Sequence, residues 1–250
     1  MNIILKNESQ IELMKKSGKV LSDTFEYIEA FIKPGVSTYE IDKLCEEFIR
    51  SQGAIPSSKG YCGYPASVCA SVNDVVVHGI PSKKTILKEG DILSLDITVV
   101  KHGYNTDAAR TFAVGKISPE KQKLIDVTRE CFFEGIKGIK IGDTLNDIAR
   151  NIQTHAEKNG FSVVRDMIGH GIGKEMHEDP PVPNYFTPEN TTKIEKGLVI
   201  ALEPMINYGR KEIYIESDGW TARTRDHKPS AHYENTIAFT DKGVEILTIK

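Results

Sequence analysis

Apolar residues recur along this chain with two different periods. Ile11, Met14, Leu21, Phe25, Ile28 and Ile32 follow one another in threes and fours apart from a gap at Gly18, which is one buried helical stripe. Ser9 and Glu12 predict a capping box at its start, and Pro34-Gly35 stops it. Ser37 and Glu40 start a second helix that carries Ile41, Leu44, Cys45, Phe48 and Ile49 and closes at Gly53. The period then falls to two. Asp91 to Val100 is an apolar run rich in β-branched residues, Lys101-His102-Gly103 is a turn, and Tyr104 to Val114 is the returning strand.

The second half repeats this plan. Ser118-Pro119 opens a helix with Leu124, Val127, Cys131 and Ile139, and Gly142 breaks it. Thr144 starts another with Leu145, Ile148 and Ile152, closed by Gly160. Gly35 and Gly142, Gly53 and Gly160, and Ile41 and Ile148 all share an offset of 107 positions. The same offset carries Gly90 to Gly197 and Asp96 to Glu203, each acid ending an apolar strand. His78-Gly79-Ile80 matches His170-Gly171-Ile172 at a shorter offset, so the first half holds a longer loop before its histidine. The expectation is one domain over 1–250 built by internal duplication, approximately 9–115 and 116–250, with a site in the cleft between the halves.

Composition narrows the class. Of 250 residues, 39% are hydrophobic and 27% charged, with a formal net charge of −3. That is globular composition with no basic stripe for nucleic acid. No apolar run is long enough for a bilayer, and Ile3-Ile4-Leu5 is too short for a secretory core, so a cytoplasmic protein is expected. The cysteines, Cys45, Cys62, Cys69 and Cys131, form no C-x-x-C pair and read as reduced thiols.

The chemistry lies in the acids on apolar strands. With a two-residue turn at Lys101-His102, Val100 faces Gly103 and Asp96 faces Asp107, about 5 Å apart at Cβ. Either one carboxyl is protonated, or the register differs, or a cation bridges the pair. Glu203 ends the run Gly197 to Leu202, and Glu234 sits on the strand Ala231 to Phe239. Four such acids are hard to bury unless strong positive charge neutralises them. His170, flanked by Gly169 and Gly171, adds an imidazole to the oxygen set, which suits a divalent transition metal. His102, His155, His227 and His232 are expected at the surface or in turns.

These residues resemble the type I methionine aminopeptidases, over nearly the whole chain. The matching segments include Gly63-Tyr64-Pro65 through Val68-Cys69, Asn73-Asp74-Val75-Val76-Val77-His78-Gly79-Ile80-Pro81, Leu95-Asp96, Asn105-Thr106-Asp107, Gly169-His170-Gly171-Ile172-Gly173, His177-Glu178-Asp179-Pro180, Leu202-Glu203-Pro204 and Tyr233-Glu234. The resemblance implies an α+β pita-bread fold: two pseudo-symmetric halves of antiparallel strands, with covering helices, around a central metal cleft. It implies two divalent ions, cobalt, manganese, iron or zinc, held by Asp96, Asp107, His170, Glu203 and Glu234, with Asp107 and Glu234 bridging. His78 resembles the histidine that contacts the scissile amide, His177 the one that binds the substrate carbonyl, and Glu203 the ligand that relays the proton from the bridging water.

Tyr61, Tyr64, Cys69 and Trp220 resemble the residues lining the methionine pocket. Met176 stands where bacterial enzymes commonly carry an aromatic residue, Ser58 where a cysteine is often found, and Cys62 also departs from the commonest residue at its place. The implied activity is removal of the initiator methionine from nascent polypeptides, preferring a small second residue, by a monomer that meets the ribosome transiently. The resemblance is to the short bacterial form, so no N-terminal zinc-binding extension, type II insertion or separate N-terminal domain is expected. Two rivals remain: a prolidase-like peptidase of the same fold, and a non-enzymatic module, which should have lost ligands.

Overall fold

Asn7 caps the first helix, α1 (Glu8–Glu29), by accepting from Gln10 N, while the Gln10 side chain takes the Asn7 N–H. The helix therefore starts two residues before the box expected at Ser9. Asn is among the strongest caps, and Glu12 instead pairs with Lys15 on the solvent side. The other helices begin where the sequence predicts: α2 (Thr38–Ser51) at Ser37, α3 (Pro119–Ile136) at Ser118 and α4 (Leu145–Lys158) at Thr144. The computed structural model describes residues 2–249, and no described helix is long and apolar enough to cross a membrane.

The described residues form fifteen strands, numbered in chain order. The first half holds β1 (Ile55–Pro56), β2 (Cys69–Val72), β3 (Val75–Val77), β4 (Ile92–Lys101) and β5 (Tyr104–Ala113). The second holds β6 (Ser162–Val163), β7 (Gly169–Gly171), β8 (Glu178–Val182), β9 (Val199–Leu202), β10 (Met205–Asn207), β11 (Ile213–Ile215), β12 (Ala222–Thr224), β13 (Ser230–His232), β14 (Glu234–Thr240) and β15 (Gly243–Ile246). Antiparallel pairing builds a nine-stranded sheet in the order β1-β4-β5-β14-β9-β7-β8, with β2 added on β4 and β15 on β14. Two three-stranded sheets, β13-β10-β6 and β11-β12-β3, flank it. The fold is the pita-bread fold, with the sheet curled around a cleft and the helices outside.

Alternation along the strands separates core from cleft. Leu93, Leu95, Ile97 and Val99 of β4 pack under α1 and α2 with Leu21, Phe25, Ile41 and Ile49. Ile200, Leu202 and Ile237 pack under α3 and α4 with Leu124, Phe132, Ile148 and Ile152. Each such side chain is worth about 2–5 kcal/mol against truncation to alanine. The intervening positions, Asp96 and Thr98 on β4 and Glu203 after β9, then face the other way.

Both halves also close their helical hairpins with the same backbone bonds. Gly35 N donates to Leu87 O and Thr38 N to Thr85 O; Gly142 N donates to Ile194 O and Leu145 N to Thr192 O, again 107 positions on. In the β4–β5 hairpin, His102 and Gly103 form the two-residue loop, both at positive φ (54° and 77°). Such a loop matches the right-handed twist of the strands. Lys101 thus pairs with Tyr104, Asp96 with Ala109 and Thr98 with Asp107. The expected register was two residues off. A shift of two keeps the face, so Asp96 and Asp107 are diagonal neighbours rather than opposite partners.

Candidate metal centre

Five adjacent strands carry the acids and the imidazole. Asp96 lies on β4, Asp107 on β5, Glu234 at the start of β14, Glu203 directly after β9, and His170 on β7. Ala109 pairs with both Asp96 and Glu234, and Ala201 pairs with both Thr236 and His170. Residues paired across antiparallel strands share a face. Pairing and alternation together therefore put all five side chains on the cleft face.

Glycines give His170 its seat. A Cβ on Gly169 would stand 2.4 Å from Ala201 O, and one on Gly171 would stand 2.1 Å from Asp179 O. Only glycine allows the neighbouring backbone that close. His170 Nδ1 is bonded to Gly171 O at 2.8 Å, which leaves Nε2 for the cleft, 3.7 Å from Glu203 Oε1. Asn184 Nδ2 donates to Glu203 O at 3.0 Å and steadies the end of β9. Thr98 Oγ1 donates to Asp107 Oδ2 at 2.9 Å.

The electrostatics point to a cation. Among the described residues no lysine or arginine pairs with any of the four carboxylates. Asp107 Oδ1 and Glu234 Oε1 are buried without a hydrogen-bond partner. Removal from bulk water, added to the mutual repulsion of the group, lifts Asp96, Glu203 and Glu234 well above the ordinary carboxylate range. Burial raises Asp107 as well, against the hydrogen bond from Thr98. Burial lowers His170 to about 4 and keeps the imidazole neutral, with a free lone pair. Unpartnered carboxyl oxygens that can ionise only beside a positive charge, next to a neutral imidazole, fit divalent cations, as does the donor set. The candidate groups are Asp107, His170 and Glu234, and Asp96, His232 and Glu234, with ligand atoms within 4.8 Å of one another in each.

One cavity of about 300 Å³ opens onto these side chains, and every site residue expected from the sequence lines it. Tyr64 lies edge-on to Trp220 at 5.1 Å, and its hydroxyl donates to Gly79 O at 3.0 Å. Cys69 is buried beside Tyr64, while Met176 forms another buried part of the wall. His78, at a left-handed φ of 59°, lies edge-on to Trp220. His177 is 4.1 Å from His170 between ring centres. Burial, with the like charge of the next histidine behind it, holds His78 and His177 down at about 4.

The sequence left other lining residues unassigned. Ser58, a departure from the family pattern, borders the cavity, and Cys62 stands exposed outside it. Asp166, Met167 and Ile168 join the lining from the segment before β7, and nothing in their pattern signalled it. Thr98 was legible, since it lies two positions from Asp96 on the same strand face. His232 is a correction: expected at the surface or in a turn, it is 1% exposed, and burial holds it at about 3. The run Ala231 to Phe239 breaks at Tyr233, so His232 belongs to β13 in another sheet and turns inward. His102 and His227 are exposed, as expected, and His155 of α4 pairs with Glu130 of α3.

The geometry finds its counterpart in known proteins. Residues 12–241 match the model of metallopeptidase family M24. The methionine aminopeptidase of Clostridium acetobutylicum is 51% identical over 247 residues, 99% of each chain. That of Escherichia coli is 43% identical over all of this chain and 95% of its own. The crystal structure of the methionine aminopeptidase of Thermotoga maritima superposes with a TM-score of 0.97 at 42% identity, each chain covered in full. The chain belongs to metallopeptidase family M24 and, within it, to the methionine aminopeptidases.

Proposed function

We propose that this protein hydrolyses the N-terminal methionine from newly made polypeptides, at a centre where Asp96, Asp107, His170, Glu203 and Glu234 would hold two divalent ions. The observation that carries this reading is the single cavity shared by the acid-and-imidazole cluster and the apolar wall of Tyr64, Cys69, Met176 and Trp220. When bound, the ions supply Lewis acidity and activate a water for attack. The chain's own residues do the rest. Glu203 would serve as the general base, accepting a proton from water and passing it on. His177 donates to the substrate carbonyl oxygen as negative charge develops there. His78 contacts the scissile amide and returns a proton to the leaving amine. Neutral imidazoles suit both roles.

The pocket of Tyr61, Tyr64, Cys69, Met176 and Trp220 takes the methionine side chain. A thioether gains polarizable contacts there, above all with Met176 and the aromatic rings. The second residue lies toward the rim by His78 and His177, and small side chains are preferred there. The internal duplication of a single domain, 9–115 and 116–250, brings the two halves of the site together. In the cell the reading is a cytoplasmic monomer that meets nascent chains transiently at the ribosome. Cobalt, manganese, iron and zinc all suit the ligands.

The test is turnover of Met-Ala-Ser by metal-free protein titrated with each ion. Activity that rises to a plateau near two ions per chain is expected. Full activity in protein shown to be metal-free would remove the centre as described. Cleavage of Ala-Pro with Met-Ala-Ser left intact would favour the prolidase-like alternative.

A further inference from the structure

We propose that His232 is a sixth protein ligand of the centre, forming with Asp96 and Glu234 the tripod for one ion as His170 forms one with Asp107 and Glu234 for the other. The inference rests on the two-ion reading above and adds an imidazole to the ligand set. Its first support is geometric. The ligand atoms of Asp96, His232 and Glu234 lie within 4.8 Å of one another, as do those of Asp107, His170 and Glu234, and Glu234 is common to both groups. His232 Nε2 is 3.8 Å from Glu234 Oε2 and 4.0 Å from Glu203 Oε2. Those separations are too long for hydrogen bonds. They are shorter than two metal–ligand bonds laid end to end, at roughly 2.1 Å each.

The second support is the ring itself. Both nitrogens of His232 are buried without a hydrogen-bond partner. Buried polar side-chain atoms are nearly always satisfied, and an exception needs an explanation. The backbone that carries the ring is held at both its polar groups. His232 N donates to Thr111 Oγ1 at 2.9 Å, and Thr111 Oγ1 donates to His232 O at 2.9 Å.

The third support is register. Thr98 pairs with Asp107 in the first half, and Met205 pairs with His232 in the second. Thr98 and Met205 are related by the 107-residue shift that carries Asp96 to Glu203. His232 therefore stands at the station of Asp107, a proposed ligand, while Glu234 stands at that of Ala109, its own cross-strand partner. The two halves then offer Asp96 with Asp107 and Glu203 with His232.

The test counts metal-bound imidazoles in the dicobalt protein by proton NMR. Each Co(II)-bound ring with a protonated second nitrogen shows one exchangeable resonance far outside the ordinary range. Two are expected, one lost in His170→Gln and the other in His232→Gln. Calorimetric titration of metal-free His232→Gln should show the Kd of one ion raised roughly ten-fold or more and the other unchanged. His232→Asn provides the second variant if the first does not fold, and the count on the unsubstituted protein depends on neither. Two bound ions with a single imidazole signal, kept in both His232 variants, overturn the assignment of His232 and leave the two-ion reading standing. Uptake of no ion by the unsubstituted protein overturns both.

Discussion

Tyr61 Oη and His177 Nδ1 lie 2.7 Å apart in a hydrogen bond that ties the loop before β2 to the loop before β8. With the phenol donating to Nδ1, the proton of the neutral ring is confined to Nε2, the donor that the proposed carbonyl contact requires. Tyr61→Phe keeps the ring and removes that constraint. Turnover should fall about ten-fold with KM changed far less, since a transition-state donor is weakened rather than the methionine wall. Steady-state kinetics on Met-Ala-Ser checks the split, and an unchanged kcat would detach Tyr61 from His177 function.

Metal removal should cost stability as well as activity. The four carboxylates in the cleft have no lysine or arginine partner among the described residues. Whatever ion binds the folded chain and not the unfolded one stabilises it, by about 2.7 kcal/mol at a hundred times Kd. In a protein of this size that is about 5–10 °C in Tm. Thermal melts with and without Mn(II), after chelation, measure it. Equal melting points would mean that the acids do not hold an ion.

Glu203 and His78 should separate cleanly. Glu203→Gln preserves size and the carbonyl-side contact with Asn184 but removes the proposed base, and turnover should fall about a hundred-fold or more. His78→Ala should lower turnover with ion content unchanged, because its neighbours are Trp220 and His177 rather than the carboxylates. Elemental analysis beside kinetics decides. Loss of metal in His78→Ala together with full turnover in Glu203→Gln would reverse the roles.

An ion pair behind the pocket gives a pH prediction. Glu46 of α2 accepts from Lys59 Nζ at 2.8 Å and from Arg50 Nε at 3.0 Å, tethering the loop that carries Ser58 and Tyr61. Burial pushes its carboxyl up, but the hydrogen bonds from Lys59, Arg50 and Ser67 outweigh it and hold it down at about 2. A lowered pKa contributes stability that is present above the unfolded value, near 4.5, and lost as pH falls toward 2. Lys59 and Arg50 are about half exposed, so solvent screening leaves about 1–2 kcal/mol of the nominal gain. Glu46→Gln should therefore be less stable by that amount at pH 7. In urea melts the difference should shrink steadily below pH 4.5; a gap that stays constant with pH would exclude the ion pair.

Side-chain selectivity should follow the wall of the pocket. Norleucine nearly matches methionine in shape and should be accepted, whereas leucine branches early and should lose about 1–3 kcal/mol in kcat/KM. A charged first residue would lose solvation without gaining a partner. In a Met-X-Ser series, Ala, Gly and Ser at X should be cleaved and Lys or Phe left intact. Equal rates for leucine-first and methionine-first peptides would assign the pocket to another ligand.

Much of this protein could be read from residue order alone, wherever the cause was local. Caps at Ser37, Ser118 and Thr144 depend on neighbours three positions away, and the helices begin there. Alternation along Ile92–Lys101 determined which face would carry Asp96, and the 107-residue offset pointed to Glu203 as its counterpart. Even the register error spared the site, because a slip of two preserves the face. Tertiary structure decided what depends on distance. Whether His102-Gly103 or Lys101-His102 turns the hairpin is a matter of which residues accept positive φ under strand twist. The segment Asp166 to Ile168 reaches the cavity only because β7 is drawn against β9. His232 looks like any polar residue beside Tyr233-Glu234. Only the break between β13 and β14, and the pairing of Met205 with His232, turn its ring toward both the neighbouring Glu234 and the distant Glu203.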